Sequence, residues 1–305
     1  MTRVFSLIPF IVLALIGTPA LAALNIFATV PEWAALAQEI GGDKVKVFSA
    51  TQALQDPHHV EAKPSLITRL RNADLVAATG AELEVGWLPL ALRESGNGKV
   101  QPGQPGYFEA AGCVRMLEVP TRLDRADGDV HAAGNPHIQT DPRNILKVGE
   151  ALAKRMGEVD AANAAAYAAS FHAFAERWRS ALTRWEAAAA PLRGQPVVSQ
   201  HKAWPYLYDW LGLKEVATLE PKPGVEPSVA YLGELLSRLS TQPPKAVIRT
   251  AYNSPRPAEW YAQQARVPLV VLPFTVGGSD GAKDLFGLFD DTVARLKAAI
   301  DAHGR

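Results

Sequence analysis

Histidines are the side chains of this sequence whose positions could support metal chemistry. His58, His137 and His201 each follow an apolar strand or a proline-containing turn, at the mouth of a predicted element. Ligands of open α/β sheets bind at the carboxyl ends of the strands, so these imidazoles could converge on one cleft. The alternative is three unrelated histidines, each exposed or satisfied by its own neighbours. Because Cys113 is the only cysteine, a disulfide within the chain and any CxxC motif are excluded, and a metal would need histidines and carboxylates.

The composition is that of a folded protein with no electrostatic preference for a charged partner. The 305 residues are 48% hydrophobic and 20% charged, which excludes intrinsic disorder, and the length exceeds the usual size of one hydrophobic core. The 31 basic and 31 acidic side chains give a formal net charge of zero. We therefore expect two domains, and no partner that is nucleic acid or an acidic membrane surface.

Residues 1–22 are typical of a cleavable signal peptide. Arg3 gives a positive start, an apolar run follows over residues 4–16, and an A-x-A cleavage signature ends at Ala22. The run is shorter than the roughly 20 residues that a membrane-spanning helix needs. We predict a mature chain that starts near Ala23 and works in the periplasm, the alternative being a buried N-terminal helix. No cysteine follows the cleavage site, so we expect no lipid anchor.

After this leader, strands alternate with helices, which predicts a parallel sheet covered by helices. Apolar strands are predicted over residues 24–28, 45–48 and 74–78. Thr29 and Glu32 have the spacing of a capping box, so we expect them to cap the first helix. This pattern describes one α/β lobe, which we place at residues 23–145.

A long helix then interrupts the alternation. Residues 160–190 contain neither proline nor glycine, and their aromatic side chains recur on one stripe at helical spacing. At 1.5 Å per residue such a helix is on the order of 45 Å long. We interpret it as a strut packed along both lobes, within a linker region at residues 146–191.

The alternation returns in the second half of the chain. Strands are predicted over residues 196–199, 216–219, 246–249 and 267–272. They indicate a second lobe of similar size, residues 192–305. The predicted fold class is therefore α/β, with two similar lobes whose parallel sheets are flanked by helices, one long helix joining them, and a metal cleft between the lobes.

Three ordered motifs carry a resemblance to a known family. They are Asp56-Pro57-His58, Asn135-Pro136-His137 followed by Asp141-Pro142, and Ser199-Gln200-His201-Lys202-Ala203. Together they resemble the periplasmic zinc- and manganese-binding solute-binding proteins of ABC importers, the ZnuA-like or TroA-like family. The resemblance covers essentially the whole mature chain.

The resemblance implies that His58, His137 and His201 bind the metal, and that the protein is a binding protein and not an enzyme. Neutral imidazoles suit Zn²⁺, whereas Mn²⁺ prefers oxygen-rich sites, and manganese members of the family typically have a glutamate where His201 stands. We therefore expect an extracytoplasmic monomer that captures Zn²⁺ and delivers it to an ABC permease with its cytoplasmic ATPase.

Two alternatives stay open. One is a manganese-binding member of the same family. The other is a secreted zinc hydrolase, since three histidines with an open fourth position also form a catalytic arrangement. Against the hydrolase, the sequence has no HExxH motif and no carboxylate within two residues of His137 or His201.

The fourth metal ligand is the point at which the sequence departs from the family. Family members commonly have an aspartate after the last strand of the second lobe, but residues 272–278 contain no carboxylate. Asp280, Glu61, His59 and water are the candidates. His131 is interpreted as part of a solvated loop, with an auxiliary metal contact as the alternative. His172 belongs to the polar stripe of the strut, and His303 to the C-terminal tail.

Overall fold

The computed structural model describes residues 22–122, 128 and 131–303, and these residues form two four-stranded parallel sheets. The first sheet has the order β2-β1-β3-β4 and comprises β1 (Leu24–Ala28), β2 (Val45–Ser49), β3 (Leu75–Ala78) and β4 (Tyr107–Glu109). The second has the order β6-β5-β7-β8 and comprises β5 (Pro196–Ser199), β6 (Lys214–Thr218), β7 (Ala246–Thr250) and β8 (Leu269–Leu272). In both sheets the chain reverses its crossover direction beside the lobe's first strand, which opens a crevice at the carboxyl ends.

Proline begins most of the helices, because it lacks the N–H that the first turn cannot use and its φ is already helical. The helices are α1 (Pro31–Gly41), α2 (Pro64–Arg71), α3 (Leu88–Ser95), α4 (Pro142–Val159), α5 (Ala164–Ala189), α6 (Pro205–Leu211), α7 (Val229–Arg238), α8 (Pro255–Ala265) and α9 (Leu285–His303). Among the described residues, no helix is both long and apolar enough to cross a bilayer.

The predicted strut is α5, which packs against α1 and α4 on the side of the first lobe and against α9 of the second. Its 26 residues make it about 39 Å long. Trp178 has a buried ring that lies 4.8 Å from the ring of Phe286 and 5.6 Å from that of Phe289, both on α9. Among the described residues, the largest hydrophobic cluster therefore runs through both lobes and includes the strut.

The predicted fold class is confirmed by the two parallel sheets and the long helix. The domain boundaries at residues 23, 146 and 192 stay predictions, and the leader that we predict lies outside the described residues except for Ala22. The predicted capping box is wrong. Val30 is the N-cap of α1 and forms no side-chain cap, while Thr29 donates to Glu84 at 2.6 Å and Glu32 is bound by Thr275. Thr29 and Glu32 are therefore hydrogen-bonded to residues that are distant in the sequence, and neither caps the helix.

Candidate metal site

Three histidines from separate loops meet between the lobes. His58 lies in the loop after β2, His137 lies just before α4, and His201 is the second residue after β5. Each offers one nitrogen, and these nitrogens lie within 4.8 Å of one another. The ring centres are 5.0 Å apart for His58 and His137, 5.7 Å for His58 and His201, and 5.8 Å for His137 and His201. The structure therefore brings together the three side chains that the sequence singled out.

Two of the three histidines are presented by the same local turn. In Asp56-Pro57-His58, the Asp56 Oδ1 atom accepts the backbone N–H of His58 at 2.9 Å. In Asn135-Pro136-His137, the Asn135 Oδ1 atom accepts the backbone N–H of His137 at 3.0 Å. A short polar side chain that binds the backbone two residues on closes the turn, and the intervening proline restricts its φ. Both Asx-Pro-His motifs therefore form the same turn, and this turn fixes the backbone at the histidine.

Carboxylates orient two of the imidazoles. The Nδ1 atom of His58 lies 2.8 Å from Asp56 Oδ1, and the Nδ1 atom of His201 lies 2.7 Å from Glu220 Oε2. Glu220 is itself held, because Oε2 also accepts the backbone N–H of Gly224 at 2.8 Å. A carboxylate at Nδ1 favours the proton there and leaves Nε2 as the donor atom for a metal. In His58 that Nε2 atom is buried and has no hydrogen-bond partner.

His137 is held in the neutral form by its surroundings. It is 1% exposed, and its ring packs edge-on against Phe274 with 5.1 Å between ring centres. Burial, together with the charges that His58 and His201 carry when protonated, sets the pKa of His137 well below its usual value. A neutral imidazole is the form that binds a metal. Phe274 belongs to residues 272–278, the stretch in which the sequence has no carboxylate.

The pair of carboxylates also matches a divalent charge. Burial acts to raise the pKa of Asp56, but the hydrogen bond and charge of His58 outweigh it, and the pKa is lowered. Asp56 and Glu220, one from each lobe, together supply two negative charges behind neutral imidazoles. Tetrahedral coordination at about 2.0–2.1 Å would place ligand nitrogens about 3.3 Å apart, which is inside the 4.8 Å limit that the three nitrogens meet.

The proposed candidates for a fourth ligand do not join the cluster. Among the described residues, the group of metal-ligand side chains contains the three histidines alone. His59, Glu61 and Asp280 are all exposed. His131 differs from the expectation of a solvated loop, because it is half-buried and its ring centre lies 5.7 Å from that of His58. It lines a cavity of about 270 Å³ together with His137 and His201.

A polar network that the sequence did not reveal joins the histidine loops across the lobes. The hydroxyl of Tyr206 donates to the backbone oxygen of Asn135 at 2.7 Å and accepts the backbone N–H of Leu117 at 3.0 Å. Lys202 binds Glu118 at 2.6 Å. Tyr206 and Lys202 both lie in or near the third motif, but only the folded chain shows that they hold the segment preceding His137.

The comparisons with known proteins agree with this arrangement. A family model described as "ZnuA: Zinc-uptake complex component A periplasmic" matches residues 26–299. The chain belongs to this family. The fold also matches a solved structure described as the crystal structure of ZnuA, with a TM-score of 0.76 and 22% identity over 91% of this chain and 99% of that one. Since the family is one of metal-uptake binding components, the predictions of a ZnuA-like protein and of no enzymatic activity are confirmed.

Curated relatives carry names that differ in the metal. The zinc-binding lipoprotein AdcA of Streptococcus pneumoniae serotype 4 is 26% identical over 223 residues, 70% of this chain and 42% of AdcA. The manganese ABC transporter substrate-binding lipoprotein PsaA of Streptococcus pneumoniae is 24% identical over 260 residues, 83% of this chain and 80% of PsaA. The metal ABC transporter substrate-binding lipoprotein ScbA of Streptococcus cristatus is 28% identical over 155 residues, 50% of this chain and 47% of ScbA. The chain thus spans less than half the length of AdcA and of ScbA.

The same relatives contradict one prediction. AdcA, PsaA and ScbA are all named lipoproteins, so the expectation of a periplasmic protein without a lipid anchor is wrong. That expectation depended on the lack of a cysteine beside a cleavage site, in a leader that lies almost entirely outside the described residues.

Proposed function

We propose that this protein captures Zn²⁺ between its lobes and delivers it to an ABC-type metal importer. His58, His137 and His201 are the ligands in this proposal, and the ion is the cargo. The observation that carries it is the convergence of three imidazole nitrogens within 4.8 Å, from three loops of two lobes. Nothing in the hydrophobic packing requires three polar rings to meet there, and two buried ring nitrogens are left without a hydrogen-bond partner.

The donor atoms favour zinc over manganese. Imidazole nitrogen suits Zn²⁺, whereas Mn²⁺ prefers carboxylate, carbonyl and water oxygens. Asp56 and Glu220 are turned toward the Nδ1 atoms of histidines, so both carboxylates act behind the ligands. Manganese remains the second candidate, because PsaA, which matches most of this chain, is named for it.

Delivery to a permease follows from the family and from the position of the site. The sequence contains no GxxxxGK[ST] motif for ATP binding. Transport would therefore need a membrane permease and an ATPase as partners. His58 and His201 lie on loops at the carboxyl ends of strands, one in each lobe, so a partner could act on these loops without disturbing either core.

The first experiment is metal analysis of the purified chain after competition between zinc and manganese at equal concentrations. We expect one zinc per chain, and no retained metal in the triple variant His58→Ala, His137→Ala, His201→Ala. A matched control is His172→Ala, whose side chain is exposed on the strut. Retention of manganese in preference to zinc contradicts the choice of metal, and retention of metal by the triple variant contradicts the site.

Delivery needs a separate measurement. Zinc-loaded protein, mixed with proteoliposomes that contain the cognate permease and ATPase, should support ATP-dependent zinc uptake. The metal-free triple variant should not. Uptake at the same rate without the protein would contradict the delivery role.

A further inference from the structure

We propose that the metal ion reaches the three histidines through an acidic cavity, where it is first held together with its shell of water. This inference rests on the proposed function and adds to it the route by which the ion arrives. The acidic cavity has a volume of about 230 Å³, and Asp56, His58, His201, Glu220 and Glu226 are among the residues that line it. Because two of the proposed ligands border this cavity, an ion held there lies beside the metal site.

Two cavities border the histidine cluster, and they differ in charge. The cavity of about 270 Å³ that His137 and His201 line has Glu118 and Lys202 in its wall, and these two side chains form an ion pair at 2.6 Å. The acidic cavity has three carboxylates and, among its described lining residues, no lysine or arginine. A cleft lined by one sign of charge concentrates ions of the opposite sign and raises their rate of binding. A cation is therefore drawn to the acidic cavity and not to the other one.

The three carboxylates of the acidic cavity lie at successive depths. Glu226 is exposed to solvent, whereas the side chain of Asp56 is 33% exposed and that of Glu220 is 11% exposed. Among the described residues, the hydrogen bonds of Asp56 use its Oδ1 atom, and those of Glu220 use its Oε2 atom. The second oxygen of each carboxylate thus stays available to water that a cation carries. The negative charges form a path from solvent to the histidines.

A buried acceptor in the wall of the cavity independently indicates a polar ligand. Gln200 is 4% exposed, and its Nε2 atom donates to the backbone oxygen of Ser254 at 2.8 Å, which fixes the orientation of the amide. The Oε1 atom of Gln200 is buried and has no hydrogen-bond partner among the described residues, and Gln200 lines the acidic cavity. A buried polar atom without a partner is costly, and such atoms are normally bound to water or to a ligand.

The chemistry of the wall suits an ion that still carries its water. Carboxylate oxygens and the Gln200 amide oxygen are acceptors, and water bound to a cation presents its hydrogens outward as donors. About six waters at roughly 30 Å³ each occupy roughly 180 Å³, so the shell fits within the 230 Å³ of the cavity. The imidazole nitrogens of His58 and His201 then displace water from the ion, and the released water returns to solvent.

The test measures how fast the full chain captures zinc. Metal-free protein is mixed with Zn²⁺ in a stopped-flow instrument, and a fast fluorescent zinc indicator follows the fall in free zinc. At low ionic strength, Glu226→Gln should lower the association rate constant by roughly threefold and Glu226→Lys by roughly tenfold. Both variants should approach the wild-type rate in about 0.5 M salt, because salt screens exposed charges. Dissociation into excess chelator should stay within about twofold of wild type, since steering by charge acts chiefly on association.

Glu234→Lys is the matched control for Glu226→Lys. Glu234 is exposed on α7 and makes the same change of charge, but it does not line the cavity. Its association rate should equal that of the wild-type protein. Replacing Glu226 leaves Ser228, the residue that caps α7, in place, so both lysine variants should fold.

A cation that cannot lose its ligands tests the first holding step. Hexaamminecobalt(III) has about the size of a hydrated metal ion and does not exchange its ammonia for imidazole. It should therefore occupy the acidic cavity without entering the histidine site, and slow zinc capture by the wild-type protein and by Glu234→Lys. Glu226→Lys should be slowed much less.

The outcomes separate this route from the proposed function. Equal association rates in the wild-type protein and both Glu226 variants overturn the acidic route and leave zinc capture intact. An equal loss in Glu234→Lys, or no slowing by hexaamminecobalt(III), also overturns the route. A wild-type chain that binds no zinc overturns the proposed function itself.

Discussion

Asn135 donates a hydrogen bond from its side-chain Nδ2 atom to the backbone carbonyl of Lys202 at 2.8 Å. The same side chain accepts the backbone N–H of His137 at 3.0 Å through its Oδ1 atom. Lys202 directly follows His201. One amide therefore fixes the turn that carries His137 and ties it to the residue next to His201 in the other lobe, so the separation of these two histidines depends on Asn135.

We predict that Asn135→Ala weakens zinc binding by about tenfold, because hydrogen bonds that contribute roughly 0.5–1.5 kcal/mol each are lost from the bound arrangement. Asn135→Asp separates the two roles. It keeps the acceptor for the His137 N–H, but loses the donor to Lys202 and places a negative charge beside Glu118. Isothermal titration with zinc measures both variants. The control is Asn72→Ala, at an exposed helix end, and an equal loss there would contradict the coupling.

The carboxylates behind the histidines give a second prediction. Asp56→Asn and Glu220→Gln should each lower zinc affinity by about 10–100-fold, as removal of such supporting partners does at other metal sites. The cause is the loss of the charge that orients the ring and offsets the ion. Competition with a chromophoric chelator measures the affinities.

Glu61→Gln is the matched control for these two variants. Glu61 is exposed and lies in the same loop as Asp56 and His58, so its loss changes the net charge of the loop equally. We expect unchanged affinity. A loss as large as that in Asp56→Asn would show that charge near the loop, and not the contact with the His58 ring, supports the metal.

Zinc should stabilise the folded chain through its ligands. A ligand present at 1,000 times its dissociation constant adds about 4 kcal/mol to the free energy of unfolding, so the zinc-loaded protein should melt at a higher temperature than the metal-free protein. His58→Ala should abolish most of this difference, whereas His172→Ala should retain it. Differential scanning calorimetry with and without zinc is the measurement, and equal stabilisation of both variants would be incompatible with the site.

Local sequence patterns predicted the elements that hold the histidines. The strand at Pro196–Ser199 has the predicted bounds, because a short apolar run between turn residues specifies a buried parallel strand. The two Asx-Pro-His turns are also local, since every hydrogen bond that closes them lies within two residues. His58 and His201 then lie near each other because both loops follow the carboxyl ends of strands, whereas His137 is placed by the segment before α4.

Local sequence patterns do not predict contacts between segments that are distant in the sequence. Glu220 lies 19 residues after His201, and its role depends on how the loop after β6 folds back. The sequence predicts a solvated loop at His131, yet its side chain borders the cavity that His137 and His201 line. The sequence shows that residues 272–278 contain no carboxylate, but it does not show that Phe274 of this stretch packs against the ring of His137.

Glu32 is the clearest example of a side chain whose hydrogen-bond partner is distant in the sequence. It lies in the first turn of α1, is 2% exposed, and is hydrogen-bonded by the hydroxyl of Thr275 from the other lobe. Burial raises the pKa of Glu32 from 4.5 to about 7, against the effect of the Thr275 hydrogen bond, and the nearby Glu84 carboxylate adds to the rise. Glu84 is also buried, with its own pKa raised by burial.

This shift predicts a pH dependence of stability whose sign is opposite to that of an ion-paired carboxylate. The folded chain binds the Glu32 proton more tightly than the unfolded chain, so the resulting stabilisation is complete below pH 4.5 and is lost as the pH rises through about 7. Glu32→Gln removes the titration and keeps a polar partner for Thr275. Between pH 4.5 and 8, the stability of the metal-free wild-type protein should therefore fall relative to Glu32→Gln by up to about 3 kcal/mol. Urea unfolding across this range is the measurement, with Glu234→Gln, at an exposed position on α7, expected to follow the wild-type curve. Parallel curves for the wild-type protein and Glu32→Gln would mean that Glu32 does not titrate in the folded state.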